Sequence, residues 1–273
     1  MQLGIFARTF SVHGALPVLK AVKLAGFECA QFNLACLGLP SMPDEIAGGV
    51  AEDIASAAST SGVNIAAISA TYNMIHPDLK QRADGLRRLG LIIARARVMG
   101  TSLVTLCTGT RDPHDQWRHH KDNDSAEAWR DLVTEMAKAL ELAERHDVSL
   151  GIEPELANVI SSATHAKRLL AELPSERLRI VLDSANLFEI ESSARRTELV
   201  AEAVDLLGGR IVMAHAKDRD ASGKFVAAGK GVIDFRDFIK RLKQVGFDGP
   251  LVTHGLDEAE APAVAAFLRQ VMA

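Results

Sequence analysis

Aromatic side chains make up only 5% of the 273 residues, with one tyrosine and two tryptophans, so the bulk of any core must come from aliphatic residues. Cysteine is scarce too. Cys29, Cys36 and Cys107 show no CxxC spacing and leave an odd thiol, which argues against a disulfide framework or a thiolate zinc site and fits a reducing cytoplasm. No excess of basic residues exists: 31 Lys and Arg against 35 Asp and Glu give a formal net charge of -4. A face able to neutralise many phosphates is therefore not expected, and nucleic acid is excluded as a partner. No apolar run approaches the ~20 residues that span a bilayer. The opening stretch MQLGIFARTF lacks the basic region and apolar segment of a signal peptide, so neither a membrane partner nor export is expected.

What the chain does have is rhythm. At 48% hydrophobic and 24% charged it can bury a large core. Short apolar or β-branched runs alternate with longer amphipathic segments rich in alanine. Candidate strands lie at 3–7, 28–33, 64–69, 103–107, 149–153, 179–183, 210–215 and 250–254. Candidate helices lie at 14–25, 44–61, 79–99, 125–146, 162–172, 195–207, 234–244 and 258–271. Gly26, Gly62, Gly100 and Gly246 each sit between a helical stretch and the next strand, where a residue with positive φ commonly ends a helix. Strict alternation of eight strands with eight helices predicts a single α/β domain over residues 1–273, a (β/α)8 TIM barrel of about the usual ~250-residue size. The longest irregular stretch, 108–125, follows the fourth strand and is expected to form a lid or a substrate wall rather than a domain boundary.

Four consecutive strands end in metal-ligating residue types: LGIEPE with Glu153, IVLDSAN with Asp183, IVMAHAKD with His215 and LVTH with His254. In a parallel barrel these C-terminal ends converge on one pocket. Any one of the four could simply cap a helix or be a satisfied histidine; their joint occurrence is what points to a metal. Two carboxylates and two imidazoles suit Mn, Fe, Co, Ni or Zn, with Mn the first choice, whereas Ca and Mg prefer all-oxygen shells.

The runs GIEPE, VLDSAN, HAKD, GKGVIDF and GPLVTH, in that order, together with YNMIHPD at 72–78, resemble the xylose isomerase-like TIM barrels grouped as sugar phosphate isomerases and epimerases. The resemblance implies a divalent ion held by Glu153, Asp183 and His215, with a fourth ligand from the end of strand eight, and a carbohydrate substrate. It further implies proton exchange beside a carbonyl, with Glu153 as a base and an enediolate as intermediate. Two positions depart from the family pattern. His254 stands where members commonly carry Glu, which leaves the ligand set two negative charges instead of three and the ion a stronger Lewis acid. Asn186 stands where members carry His, and it can hydrogen-bond a hydroxyl but cannot titrate.

His254 either completes the ligand set or serves as the second acid/base group. One base also suffices for β-elimination, so a lyase or dehydratase is the alternative, and a non-catalytic sugar-binding barrel is another. A DNA-repair nuclease would need more ligands and a basic groove. Lys217 is expected to reach a substrate oxygen, and Asp218 to orient a neighbouring ligand. Glu155, Asn73 and His76 are candidate substrate contacts. The GKG of 227–234 and the basic stretch 111–121 are weak phosphate signals. Small-residue faces on 44–61 and 258–271 suggest a homo-oligomer, taken as a dimer.

Overall fold

The computed structural model describes residues 1–273. Eight parallel strands close a barrel: β1 (Gln2–Phe6), β2 (Cys29–Phe32), β3 (Asn64–Ser69), β4 (Leu103–Leu106), β5 (Ser149–Ile152), β6 (Leu178–Asp183), β7 (Ile211–Ala216) and β10 (Pro250–Thr253). β10 pairs with β1 to complete the circle. The helices between strands are α1 (Ala15–Leu24), α2 (Val50–Ser61), α3 (Leu79–Ala96), α4 (Ala126–Arg145), α5 (Ala163–Glu172), α6 (Ser193–Leu207), α7 (Phe235–Gln244) and α8 (Ala261–Met272). No helix is long and apolar enough to cross a membrane.

Local chemistry sets the boundaries. Ser125 caps α4 by accepting from the Ala128 N–H, and α4 then buries Ala128, Trp129, Leu132, Met136, Ala139, Leu140 and Ala143, one helical stripe facing the sheet. Asp78, Ser162, Ser192 and Asp234 cap α3, α5, α6 and α7 in the same manner. The αβ turns at Gly26, Gly62, Gly100 and Gly246 do adopt positive φ, at 97°, 65°, 96° and 78°.

Two elements differ from expectation. Residues 44–49 are not helical. The pair Gly48–Gly49 has little helix propensity, Gly49 sits at φ 89° as the N-cap, and α2 begins only at Val50. Asp44 instead receives the guanidinium groups of Arg87 and Arg88 on α3. After β7 the chain adds a short antiparallel hairpin, β8 (Asp218–Arg219) with β9 (Phe225–Val226), which places Phe225 over the barrel mouth.

The barrel interior is built in layers. Along a strand, side chains two residues apart face the same side. Ala67, Leu103, Val181, Met213 and Val252 form a small apolar cluster separate from the main core between sheet and helices. Two residues further along the same strands come Ser69, Thr105, Asp183, His215 and His254. The other strands keep the phase with Gly4 below Phe6, Cys29 below Gln31 and Gly151 below Glu153. Gly151 leaves room that this layer needs, since a Cβ there would lie 2.8 Å from Cγ2 of Val181 and 3.2 Å from Cδ1 of Leu103. Gly151→Ala should therefore overpack the interior and cost about 1–3 kcal/mol in urea-denaturation stability; an unchanged midpoint would show that the layer tolerates the extra methyl group.

Candidate metal centre

Strand register brings the four ligand types together. Asp183 and His215 are direct partners across β6 and β7, after a register shift at Ile180/Val181 that brings them opposite one another. Glu153 and His254 follow the last residues of β5 and β10. One ligand atom from each of Glu153, Asp183, His215 and His254 lies within 4.8 Å of the others, so the group could hold a metal ion. Oε1 of Glu153 is 3.2 Å from Nδ1 of His215, and Oδ2 of Asp183 is 3.2 Å from Nε2 of His254. Tetrahedral bonds of about 2.1 Å set ligand atoms roughly 3.4 Å apart, so these separations fit a transition-series divalent ion.

The electrostatics agree. The Asp183 carboxylate is sealed from solvent, and Lys217, only 8% exposed, lies 3.3 Å from its Oδ2. Burial alone would raise Asp183, but the Lys217 ammonium and the His254 hydrogen bond hold it well below the usual carboxylate range. Glu153 is likewise lowered, the charge and hydrogen bond of His215 outweighing its burial. His254 moves the other way, kept neutral by burial and by neighbouring His215 against the pull of Asp183. Two ionised carboxylates thus converge at one buried point, where a divalent cation would stabilise both.

Neighbouring side chains fix the geometry. Asn186 donates from Nδ2 to Oε1 of Glu153 at 2.7 Å and accepts from Nζ of Lys217 at 2.7 Å. Nε2 of His215 lies 2.9 Å from Oε1 of Gln31, whose own amide donates to Oγ1 of Thr105 at 3.0 Å. That donation leaves the Gln31 carbonyl oxygen free to accept from the His215 ring, so Gln31 orients the imidazole with Nδ1 toward the carboxylates, where it would be the ligand atom if an ion were bound. Gln31 is invisible to a search for ligand types. Its signal in ECAQFN is a polar residue at the interior phase of a buried strand. The wall around the ligands also recruits Phe6, Arg8, Asn33, Ser69, Trp117 and Phe225, within a cavity of about 390 Å³.

Glu155 lines the same cavity, and burial pushes its carboxyl up to about 7, opposed by Lys217. Asn73 and His76 do not join it. Asn73 donates to the carbonyls of Thr110 and Asp112 and accepts from the N–H groups of Ile75 and Thr110. His76 places Nε2 3.1 Å from the Pro113 carbonyl and accepts from the Asp78 N–H at Nδ1. Both pin one loop to another and line a separate cavity, so neither reaches the one around Glu153 and His215 as expected. Asp218 is corrected as well. It is fully buried and accepts from the N–H groups of Arg219, Gly229, Gly231 and Ile233, so it organises the loop after β7 rather than a ligand. The GKG amides that could have met a phosphate are thereby engaged. Arg111 pairs with Asp131 at 2.6 Å, and Arg118 lies near Asp112 and Asp115. The 108–125 stretch does supply a wall residue, Trp117.

Three comparisons bear on this arrangement. The family model of the xylose isomerase-like TIM barrel matches residues 19–271. The chain is 29% identical over 184 residues to L-ribulose-5-phosphate 3-epimerase UlaE of Escherichia coli strain K12, an alignment covering 67% of this chain and 60% of that protein. It thus spans less than two thirds of the length of the curated relatives it matches. The structure of 3-keto-D-glucoside 4-epimerase YcjR from E. coli superposes with a TM-score of 0.77 at 16% identity, covering 99% of both chains. A structure of IOLI protein with a bound zinc atom superposes with a TM-score of 0.75 at 17% identity, covering 100% of this chain and 98% of that one.

Two outcomes are expected. Gln31→Leu should weaken divalent-metal affinity by about 10–100-fold in chelator competition, with Gln31→Glu retaining most of it; equal affinity in all three proteins would remove the role assigned to Gln31. Glu155 concerns pH. Its folded pKa lies above the unfolded value, so the stability tied to its protonated form is full below pH ~4.5 and lost as pH rises through ~7. In metal-free protein, Glu155→Gln should raise the melting temperature relative to wild type more at pH 8 than at pH 5. A difference that is flat with pH would contradict this.

Proposed function

The chain belongs to the xylose isomerase-like TIM barrel family, and from that premise we propose that it is a divalent-metal-dependent isomerase or epimerase acting on a keto-sugar or sugar derivative. The observation that carries this reading is the convergence of Glu153, Asp183, His215 and His254 at the C-terminal mouth of the barrel. The sugar epimerases among its relatives and structural neighbours, and the zinc held by one neighbour, support it. Mn is the preferred ion, with Fe, Co, Ni and Zn able to use the same donors.

Held by these four residues, a divalent ion would supply Lewis acidity beside the substrate carbonyl and so make the proton on the adjacent carbon easier to remove. Glu153 is assigned as the base. Asn186 and His215 hold its Oε1, while its Oε2 makes no hydrogen bond and is free to take the proton. His254, whose Nε2 lies beside Asp183, would be the fourth residue holding the ion, Nε2 exchanging its bond to Asp183 for the metal. Lys217 donates toward substrate oxygen and is held for this by Asn186 and Asp183. Glu155 contacts a hydroxyl group, while Asn186, expected to do so too, is buried outside the cavity lining and instead positions Glu153 and Lys217. The faces of Trp117, Phe6 and Phe225 suit the apolar side of a sugar ring.

Metal analysis and proton exchange test this together. Wild-type protein purified without chelator should hold about one equivalent of a transition-series divalent ion, and His215→Ala should lose it. In D₂O with a ketose such as L-ribulose, Glu153→Gln should slow carbon-bound deuterium incorporation by about 10²–10⁴-fold while keeping part of the metal; His254→Ala should lose metal and exchange in parallel. Protein that takes up no ion after reconstitution and exchanges no proton would overturn the proposal in favour of a sugar-binding barrel.

A further inference from the structure

The cavity has two unlike sides. Glu153, Asp183, His215 and His254 come from β5, β6, β7 and the end of β10, whereas Arg8, Ser41, Ser69 and Thr71 come from the segments that end or follow β1, β2 and β3. The second side carries no acid. Arg8 stands in the turn after β1, is exposed, and makes neither an ion pair nor a side-chain hydrogen bond. It differs in this from the other cations of the mouth. Lys217 is held on the ligand side by Asp183 and Asn186, and Arg219 donates to the carbonyls of Ala185 and Gly223. Lys230, on the neighbouring loop, pairs with Glu260. Ser69 adds an independent sign of a ligand. Only 5% of it is exposed, it lines the cavity, and its hydroxyl makes no hydrogen bond within the protein. Ser41 and Thr71, two further hydroxyl-bearing residues, line the same side.

We propose that Arg8, with the hydroxyls of Ser41, Ser69 and Thr71, forms an anion subsite, and that the substrate is a keto-sugar bearing a phosphate or carboxylate group at the end away from the metal. The inference deepens the reading of the site as a sugar isomerase or epimerase and rests on it. Guanidinium and hydroxyl donors together match the acceptor-only, multidentate character of such a group. A cavity of about 390 Å³ accommodates a pentose or hexose with one such substituent. The usual barrel site for a phosphate, the loop after β7, has its amides turned onto Asp218, so the opposite side is where an anion finds free donors.

The test compares L-ribulose, L-ribulose 5-phosphate and D-fructuronate with metal-loaded wild type, Arg8→Gln and Arg8→Lys. Both binding, by calorimetry, and turnover are read. Wild type should favour one anionic probe over the neutral ketose by about 10–100-fold, the favoured probe telling phosphate from carboxylate. The preference should collapse in Arg8→Gln, persist in Arg8→Lys and shrink with added salt. No anionic preference in wild type, or an equal one in Arg8→Gln, overturns the subsite. Anionic probes that bind with the Arg8-dependent preference but never turn over would uphold the subsite and sink the isomerase reading instead.

Discussion

Everything at the mouth of this barrel hangs on the two-residue period of its strands. A closed ring of parallel strands forces alternate side chains inward, and the small apolar layer of Ala67, Leu103, Val181, Met213 and Val252 fixes the height of the barrel interior. One step up, the same strands present Ser69, Thr105, Asp183, His215 and His254. Gly4 and Gly151 complete the lower layer by leaving space: a Cβ on Gly4 would fall 2.7 Å from Sγ of Cys29. The ligands therefore sit on packed, sealed backbone, and their mutual distances are a consequence of register rather than of flexible loops.

The price of that placement is buried charge. Asp183 has no solvent to stabilise it, and its ionised form survives because Lys217 and His254 touch the same oxygen. Lys217 is itself tied to Asn186, which holds Glu153, which touches His215, which is oriented by Gln31 and, through it, Thr105. The chain of contacts runs from β2 and β4 across the barrel to β5, β6 and β7. A network connected in this way resists rearrangement by any single member, so a substitution at Gln31 or Asn186 should be felt at ligands it does not contact directly.

Sequence carried the strand ends well because their signal is local: an apolar run followed by Glu, Asp or His is readable without knowing the fold. The eight-fold alternation and the glycine turns are readable for the same reason. Gln31, Ser69 and Thr105 were not, since a polar residue within a strand names no chemistry until barrel closure sets it opposite His215 or inside the cavity. Arg8 was hidden by the opposite problem, as an arginine near a strand end is ordinary unless its partners are counted. Asn73 and His76 show what a polar loop leaves unsaid about its partners. YNMIHPD looks like pocket wall, yet its side chains satisfy the backbone of the 108–125 segment, a demand that sequence does not display. The hairpin carrying Phe225 escaped because two-residue strands leave no period to read.

Histidine rather than a carboxylate at position 254 bears on what the pocket can accept. With only two carboxylates in the cluster, and one of them already facing Lys217, that side of the cavity is nearer to neutral than three would leave it. The side built from β1, β2 and β3 keeps a cation that nothing in the protein answers. A third carboxylate would have repelled an anionic substrate across a cavity this small; its loss and the unpaired Arg8 act in the same direction. The two features lie on different strands, and the proposed negative charge on the substrate accounts for both.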